Sequence, residues 1–338
     1  MGLTVRFLAV LAILSTILFV DVEDASAADG WTVPDGPLRV RNLSPAMQLY
    51  GLPRMSGARV IDEGWEASFN IEIGNNFQSD LVDGTFGFFD GETYVNSYRL
   101  RRGIADNWEV GFELPWVLHA PGSLDGLVDE FHELFGLPDG ERSLAPRGRL
   151  DYFISSQGTV YADFNNSQRD IGDARAFVGW NVVDDPGRAI ALRGAVKFPT
   201  GSVEKLSGSE GTDISLWGEM QQTIALSGRD IRLTLGGGFT HLGDGELIPR
   251  AQETWVHFGH LGLQIPINRR VEFHAQLDAH SRVLDTGNPL LADGGVLGTL
   301  GGRIGITEKF WLDLSIIEDL EAESASDVVF QILLSAYL

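Results

Sequence analysis

Four of the seven histidines, His257, His260, His274 and His280, fall on two consecutive alternating stretches. With a turn near Asn268, His260 and His274 are expected to face each other across neighbouring strands. A tetrahedral metal site would need both on one face and a third ligand, for which Glu272 is the candidate. Spacing alone is unspecific, and the same histidines serve equally as polar residues of a strand face, so no metal is assigned. A hydrolase would need a placed nucleophile. The chain has no Gly-x-Ser-x-Gly elbow and no His-Glu-x-x-His. Ser281 adjoins His280, but neighbouring strand residues point to opposite faces. The expectation is a protein without catalytic residues or cofactors, not an enzyme.

The remaining chemistry is ionic and periodic. Arg99, Arg101, Glu109, Glu113, Arg175, Arg193, Lys197, Glu219, Arg232, Glu272, Asp278, Arg303 and Asp313 each sit one residue out of phase with an apolar series. Glu66 and Glu72 do the same on the first such stretch. Charges at every second position, opposite a continuous apolar face, suit an enclosed polar lumen. Two readings stay open: a water-filled lumen selecting solutes by charge and width, or one in which these groups pair and fill the space.

The elements that would hold those charges are hairpins. Ala174, Ala176, Val178, Trp180 and Val182 alternate with Arg175, Gly179 and Asn181. After Asp184-Asp-Pro-Gly187, the residues Ile190, Leu192, Val196 and Phe198 oppose Arg193 and Lys197. Period-two alternation over about ten residues is the length of a tilted membrane strand. Similar stretches start at Trp65 and end at Leu338, and they number twelve, or fourteen if the weaker pair Leu150 to Ser155 and Gly158 to Phe164 joins the wall. That pair is short and is placed in the outer loop. Connections near 104, 185, 228, 267 and 308 are tight, while those between them, such as that through Asp83-Gly84 and Asp90-Gly91, are longer. This asymmetry separates periplasmic turns from external loops. The fold class is therefore all-β: an antiparallel up-and-down transmembrane β-barrel of residues 61–338.

Two segments stand apart. Residues 28–60 contain Pro34, Pro37, Pro45 and Pro53 and lack sustained alternation; they form either a lumenal plug or a loose periplasmic tail. Arg39, Arg41, Arg54 and Arg59 make this segment basic, which favours docking on barrel carboxylates. In the longest interruption, Leu124, Leu127, Val128, Phe131, Leu134 and Phe135 repeat at helical spacing, with Ser123 as cap and Gly136 as stop. That amphipathic helix in an external loop is either a gate over the barrel mouth or a surface helix burying its stripe. Arg6, the apolar run Phe7 to Val20 and Ala25-Ser-Ala27 read as a signal peptide of residues 1–27, cleaved after Ala27, which implies export to the outer membrane. A net charge of −22 without a basic cluster argues against a nucleic-acid partner. Cysteine is absent, so no disulfide holds the exported chain together.

Pro37-Leu-Arg-Val-Arg-Asn-Leu-Ser-Pro45, Tyr50-Gly-Leu-Pro53, Phe131-His-Glu-Leu-Phe-Gly-Leu-Pro138 with Arg142, and Ile171-Gly-Asp173 resemble a domain-of-unknown-function family of predicted outer-membrane barrels in Gram-negative proteobacteria. More loosely, Gly172-Asp173 and Lys197-Phe-Pro-Thr-Gly201 are similar to outer-membrane channel proteins encoded with aromatic-degradation pathways. The first resemblance implies location and fold; the second implies uptake of small solutes. The partners expected are outer-membrane lipid, the barrel-insertion machinery and small solutes. Insertion signals usually end on an aromatic residue, whereas here Tyr337 precedes Leu338. The leading function is a passive channel or transporter for small solutes, hydrophobic ones included. The alternatives are a closed structural or interaction barrel and, less favoured, an outer-membrane enzyme.

Overall fold

The computed structural model describes residues 34–61, 63–124, 126, 147–226, 228–320 and 325–338. Its strands, in chain order, are β1 (Trp65–Val82), β2 (Thr85–Ala105), β3 (Trp108–Ala120), β4 (Asp151–Ser156), β5 (Thr159–Phe164), β6 (Gln168–Ile171), β7 (Arg175–Asp185), β8 (Arg188–Lys197), β9 (Asp213–Leu226), β10 (Arg229–His241), β11 (Trp255–Pro266), β12 (Val271–His280), β13 (Gly295–Gly305), β14 (Phe310–Asp319) and β15 (Val328–Tyr337). Twelve of them close an antiparallel barrel, and β4, β5 and β6 lie outside it. Closure comes from the β1–β15 ladder, finished by Leu338 N–H donating to Trp65 O at 2.8 Å. A closed ring leaves no unpaired backbone facing lipid.

The wall follows the alternation. On β12, Glu272 and His274 are buried inside while Leu277 is 41 % exposed outside. Outer positions form an apolar belt that includes Leu100, Phe112, Leu192, Leu216, Leu261 and Leu334. Aromatic residues sit toward its edges: Trp108 stacks on Trp180 at 5.6 Å near the short-turn rim, and Phe239 meets Trp255 edge-on at 5.5 Å near the long-loop rim. Leu235 lies mid-belt, opposite Met220 and Leu261 on its neighbours, and is 52 % exposed. Leu235→Arg should destabilise the inserted barrel by about 2–4 kcal/mol, the cost of an arginine at the bilayer midplane. An unchanged denaturation midpoint in lipid would show that this face does not meet hydrocarbon.

Two expectations change against the structure, the loop after Ile73 and the pairing of His260 with His274, while the weak hairpin lies outside the wall as expected. Residues 74–92 are not a loop: β1 and β2 continue outward as a hairpin whose last pair is Val82 with Thr85, across an Asp83-Gly84 turn with both residues at positive φ. The outer part of β2 takes β4 as its second partner, and β5 follows β4, so the weak hairpin stands outside the wall on that extension. His260 does not face His274: it pairs with Asp278, and His274 pairs with Gln264. The turn is centred farther along the chain than expected, because Asn268 Oδ1 accepts N–H bonds from Arg270 and Val271. The expected signal peptide, residues 1–27, and most of the expected helical stripe (Leu127, Val128, Phe131, Leu134 and Phe135) lie outside the described residues; of that stripe, Leu124 is described.

Candidate functional site: the filled lumen

All thirteen predicted lumen residues point inward from the wall, and eleven are buried; Arg232 and Asp278 are partly exposed. They do not face an empty bore. Residues 34–61 run through it with a single 3₁₀ turn, Met47–Leu49, and no strand. Pro34 O accepts from Arg303 Nη1 at 2.7 Å near the short-turn rim. Leu38 N–H donates to Gln276 Oε1 at 3.0 Å. At the long-loop level, the Gln48 amide donates to Leu206 O and Gly51 N–H to Asp213 Oδ2 at 2.9 Å. The chain then descends: Gly57 N–H reaches Glu219 Oε2 at 2.6 Å, Val60 N–H reaches Asn181 Oδ1 at 2.6 Å, and Ile61 N–H reaches Glu109 Oε2 at 2.9 Å. A segment without secondary structure must satisfy its buried amides elsewhere, and inward wall side chains accept them.

Ion pairs fix the middle of the segment. Arg54 lies between Glu72 and Glu113, and Glu113 also meets Arg175 at 3.3 Å. Burial pulls the Arg54 guanidinium down, but the two carboxylates outweigh this and hold it above its ordinary value. Arg193 joins Glu109 and Glu219 and donates to Gly57 O at 2.8 Å. Lys197 Nζ is 2.6 Å from Asp173 Oδ2, 3.1 Å from Asp213 Oδ2 and 3.2 Å from Leu49 O. Within the wall, Arg101 pairs with Glu66 and Glu109, Arg303 holds Asp313 with two 2.7 Å hydrogen bonds, and Arg232 pairs with Asp35 and Glu272. Arg59 pairs with Asp35 and Asp184.

Arg39, Arg41 and Arg99 break this pattern: none has a carboxylate within 4 Å among the described residues. Burial, and then the nearby cations Arg54 and Arg175, push Arg41 well below its ordinary value. Arg99 stacks 4.2 Å over the Phe177 ring. The segment also fits wall glycines. A Cβ on Gly301 would lie 2.8 Å from Leu38 Cδ1 and 2.4 Å from Leu314 O. Gly301→Val therefore overpacks both plug and wall; the expected loss is about 1–3 kcal/mol, read as a lower unfolding midpoint.

The two ends of the lumen differ. At the long-loop end Leu49 and Tyr50 join an apolar core with Tyr152, Leu206, Leu247 and Leu291, drawn from the external strands and loops. At the short-turn end a cavity of about 360 Å³ opens between the segment and β1, β2 and β13–β15. The histidines are absorbed by this architecture: His260 Nδ1 lies 3.0 Å from Asp278 Oδ1, and His274 Nε2 lies 2.8 Å from Glu272 Oε1. Among the described residues no three metal-ligating side chains converge. Asp173, Asp213, Asn181 and Gln276 are the contacts that charge counting missed. Asp213 could have been found by parity, since it alternates with Ile214 and Leu216.

Fold and site together define a closed twelve-stranded antiparallel β-barrel with an apolar outer belt and a stretch of its own chain, residues 34–61, in the bore. The chain belongs to the family described as protein of unknown function DUF3187, whose model matches residues 11–336. The crystal structure of the COG4313 outer membrane channel from Pseudomonas putida F1 shares the fold, with a TM-score of 0.54 and 11 % identity over 83 % of this chain and 98 % of that one. The Ralstonia pickettii toluene transporter TbuX aligns with a TM-score of 0.39 and 10 % identity over 91 % of this chain and 96 % of that one. The P. putida toluene transporter TodX aligns at 0.35 and 11 % over 82 % and 91 %. No curated protein matches the sequence.

Proposed function

We propose that the protein is a passive outer-membrane channel for small solutes with apolar surface, gated by residues 34–61. The observation that carries this reading is a channel fold whose bore is filled by a non-strand segment held through side-chain and ion-pair contacts. Such contacts can be exchanged for water without breaking a wall ladder. The apolar core at the long-loop end favours solutes that can partition through it. It equally favours the second reading, a closed barrel that presents its external loops. In the first reading that core yields to solute; in the second it is permanent.

Flux measured with the full-length protein in liposomes separates the two. Passage of small solutes that rises on deleting residues 34–61 supports the gated channel. No flux from either protein, with both migrating as folded barrels, supports the closed one.

A further inference from the structure

The cavity at the short-turn end carries an excess of cation that the lumen does not neutralise. Arg39 and Arg99 both line it. Arg99 is 7 % exposed; its Nη2 donates to Ser56 Oγ at 2.8 Å and its Nε meets no acceptor. Arg39 Nη2 reaches Ser335 Oγ at 3.3 Å. The carboxylates nearby are engaged elsewhere: Asp35, which also lines the cavity, by Arg59 and Arg232, Glu66 by Arg101, and Glu113 by Arg54 and Arg175. Glu308 stands on the exposed turn at the rim. Leaving two guanidiniums in a partly dry cavity without a counter-charge is costly, and an incoming anion offsets that cost. Around Ser335 the β14–β15 side of the cavity also offers apolar surface. Leu333 and the Trp311–Tyr337 ring pair, centroids 4.9 Å apart, face the same space.

We infer that this cavity binds a small organic carboxylate, the head between Arg39 and Arg99 and the apolar body against Trp311, Tyr337 and Leu333. A volume of about 360 Å³ accommodates a molecule of that size. The inference deepens the channel reading by naming a class of solute. It is tested by binding rather than passage, so a barrel that binds the carboxylate but passes nothing would overturn the channel and leave the site standing.

Benzoate, benzyl alcohol and inorganic phosphate serve as calorimetric probes with the purified full-length barrel in detergent. Saturable benzoate binding is expected, with benzyl alcohol and phosphate much weaker. Arg39→Gln and Arg99→Gln should each weaken benzoate by roughly tenfold or more, the loss of one charge-assisted contact. Saturation-transfer NMR on the unsubstituted protein gives a second readout that needs no variant, and benzoate ring protons should receive transfer. Absence of benzoate binding, equal binding of benzyl alcohol, displacement by equimolar phosphate, or unchanged affinity in a folded Arg99→Gln barrel would each overturn the assignment.

Discussion

Oxidising a barrel that carries Leu43→Cys and Gly74→Cys should reduce solute flux to the lipid background, and adding reductant should restore it. Leu43 belongs to the lumenal segment and Gly74 to β1; a Cβ built on Gly74 lies 3.3 Å from Leu43 Cβ, just under the usual spacing of bridged cysteines. The natural chain has no cysteine, so no other pairing competes. Ser326 Oγ, 2.8 Å from that built Cβ, must change rotamer and give up its 2.8 Å hydrogen bond to Asn76 Oδ1. The bond would tether the segment to the wall at the long-loop level while every strand ladder stays intact. Unsubstituted protein should pass solute identically under both conditions. Equal flux from the oxidised and reduced double variant would show that solute moves without displacing residues 34–61, and the gating reading would fall.

Arg54→Ala should have the next largest effect. It removes the cation between Glu72 and Glu113, leaving Glu72, which is fully buried, with the Gln331 amide at 3.3 Å. Breaking a buried pair from one side costs about 3–5 kcal/mol, because the remaining charge stays desolvated. Withdrawal of the segment would let water reach both carboxylates and recover part of that loss. The expected signature is therefore double: a lower denaturation midpoint, and faster tryptic cleavage at Arg39, Arg41 and Arg59 in the folded barrel. Arg54→Lys should fall between, since an ammonium cannot fork across two carboxylates as a guanidinium does. A midpoint and cleavage rate matching the unsubstituted protein would show that this ion pair does not hold the segment.

Much of the wall was legible because alternation is a direct record of which side a residue takes. Glu109 against Val110 and Phe112, or Asp313 against Leu312 and Leu314, fixes a face without any tertiary information. The register of β11 against β12 was not legible: it depends on how Asn268 closes its turn, a hydrogen-bond detail invisible to periodicity. The outer extension of β1 and β2 was misjudged for a related reason. Its glycines and aspartates resemble a loop, whereas the β1–β2 ladder continues to Val82 and Thr85 and β4 pairs on its outer part. The lumenal segment was half legible. Its arginines indicated acidic partners, yet only Arg54 and Arg59 among the four found carboxylates, and backbone amides docking on Glu219, Glu109 and Asp213 leave no trace in residue type. Phe177 shares parity with Arg175 and so could have been placed inside, where it supports Arg99.

The path of residues 34–61 carries a topological consequence. Pro34 and Ile61 both lie at the short-turn end, bonded to Arg303 and Glu109, while Leu49 reaches the far end beside Lys197. The segment is thus a folded-back finger in a thimble, not a thread passed through a ring. It can retract toward the periplasm without unzipping the Trp65–Leu338 seam or baring a strand edge to hydrocarbon. On the gated-channel reading, traffic and integrity would thereby be decoupled: the wall would keep every ladder hydrogen bond while the bore empties and refills.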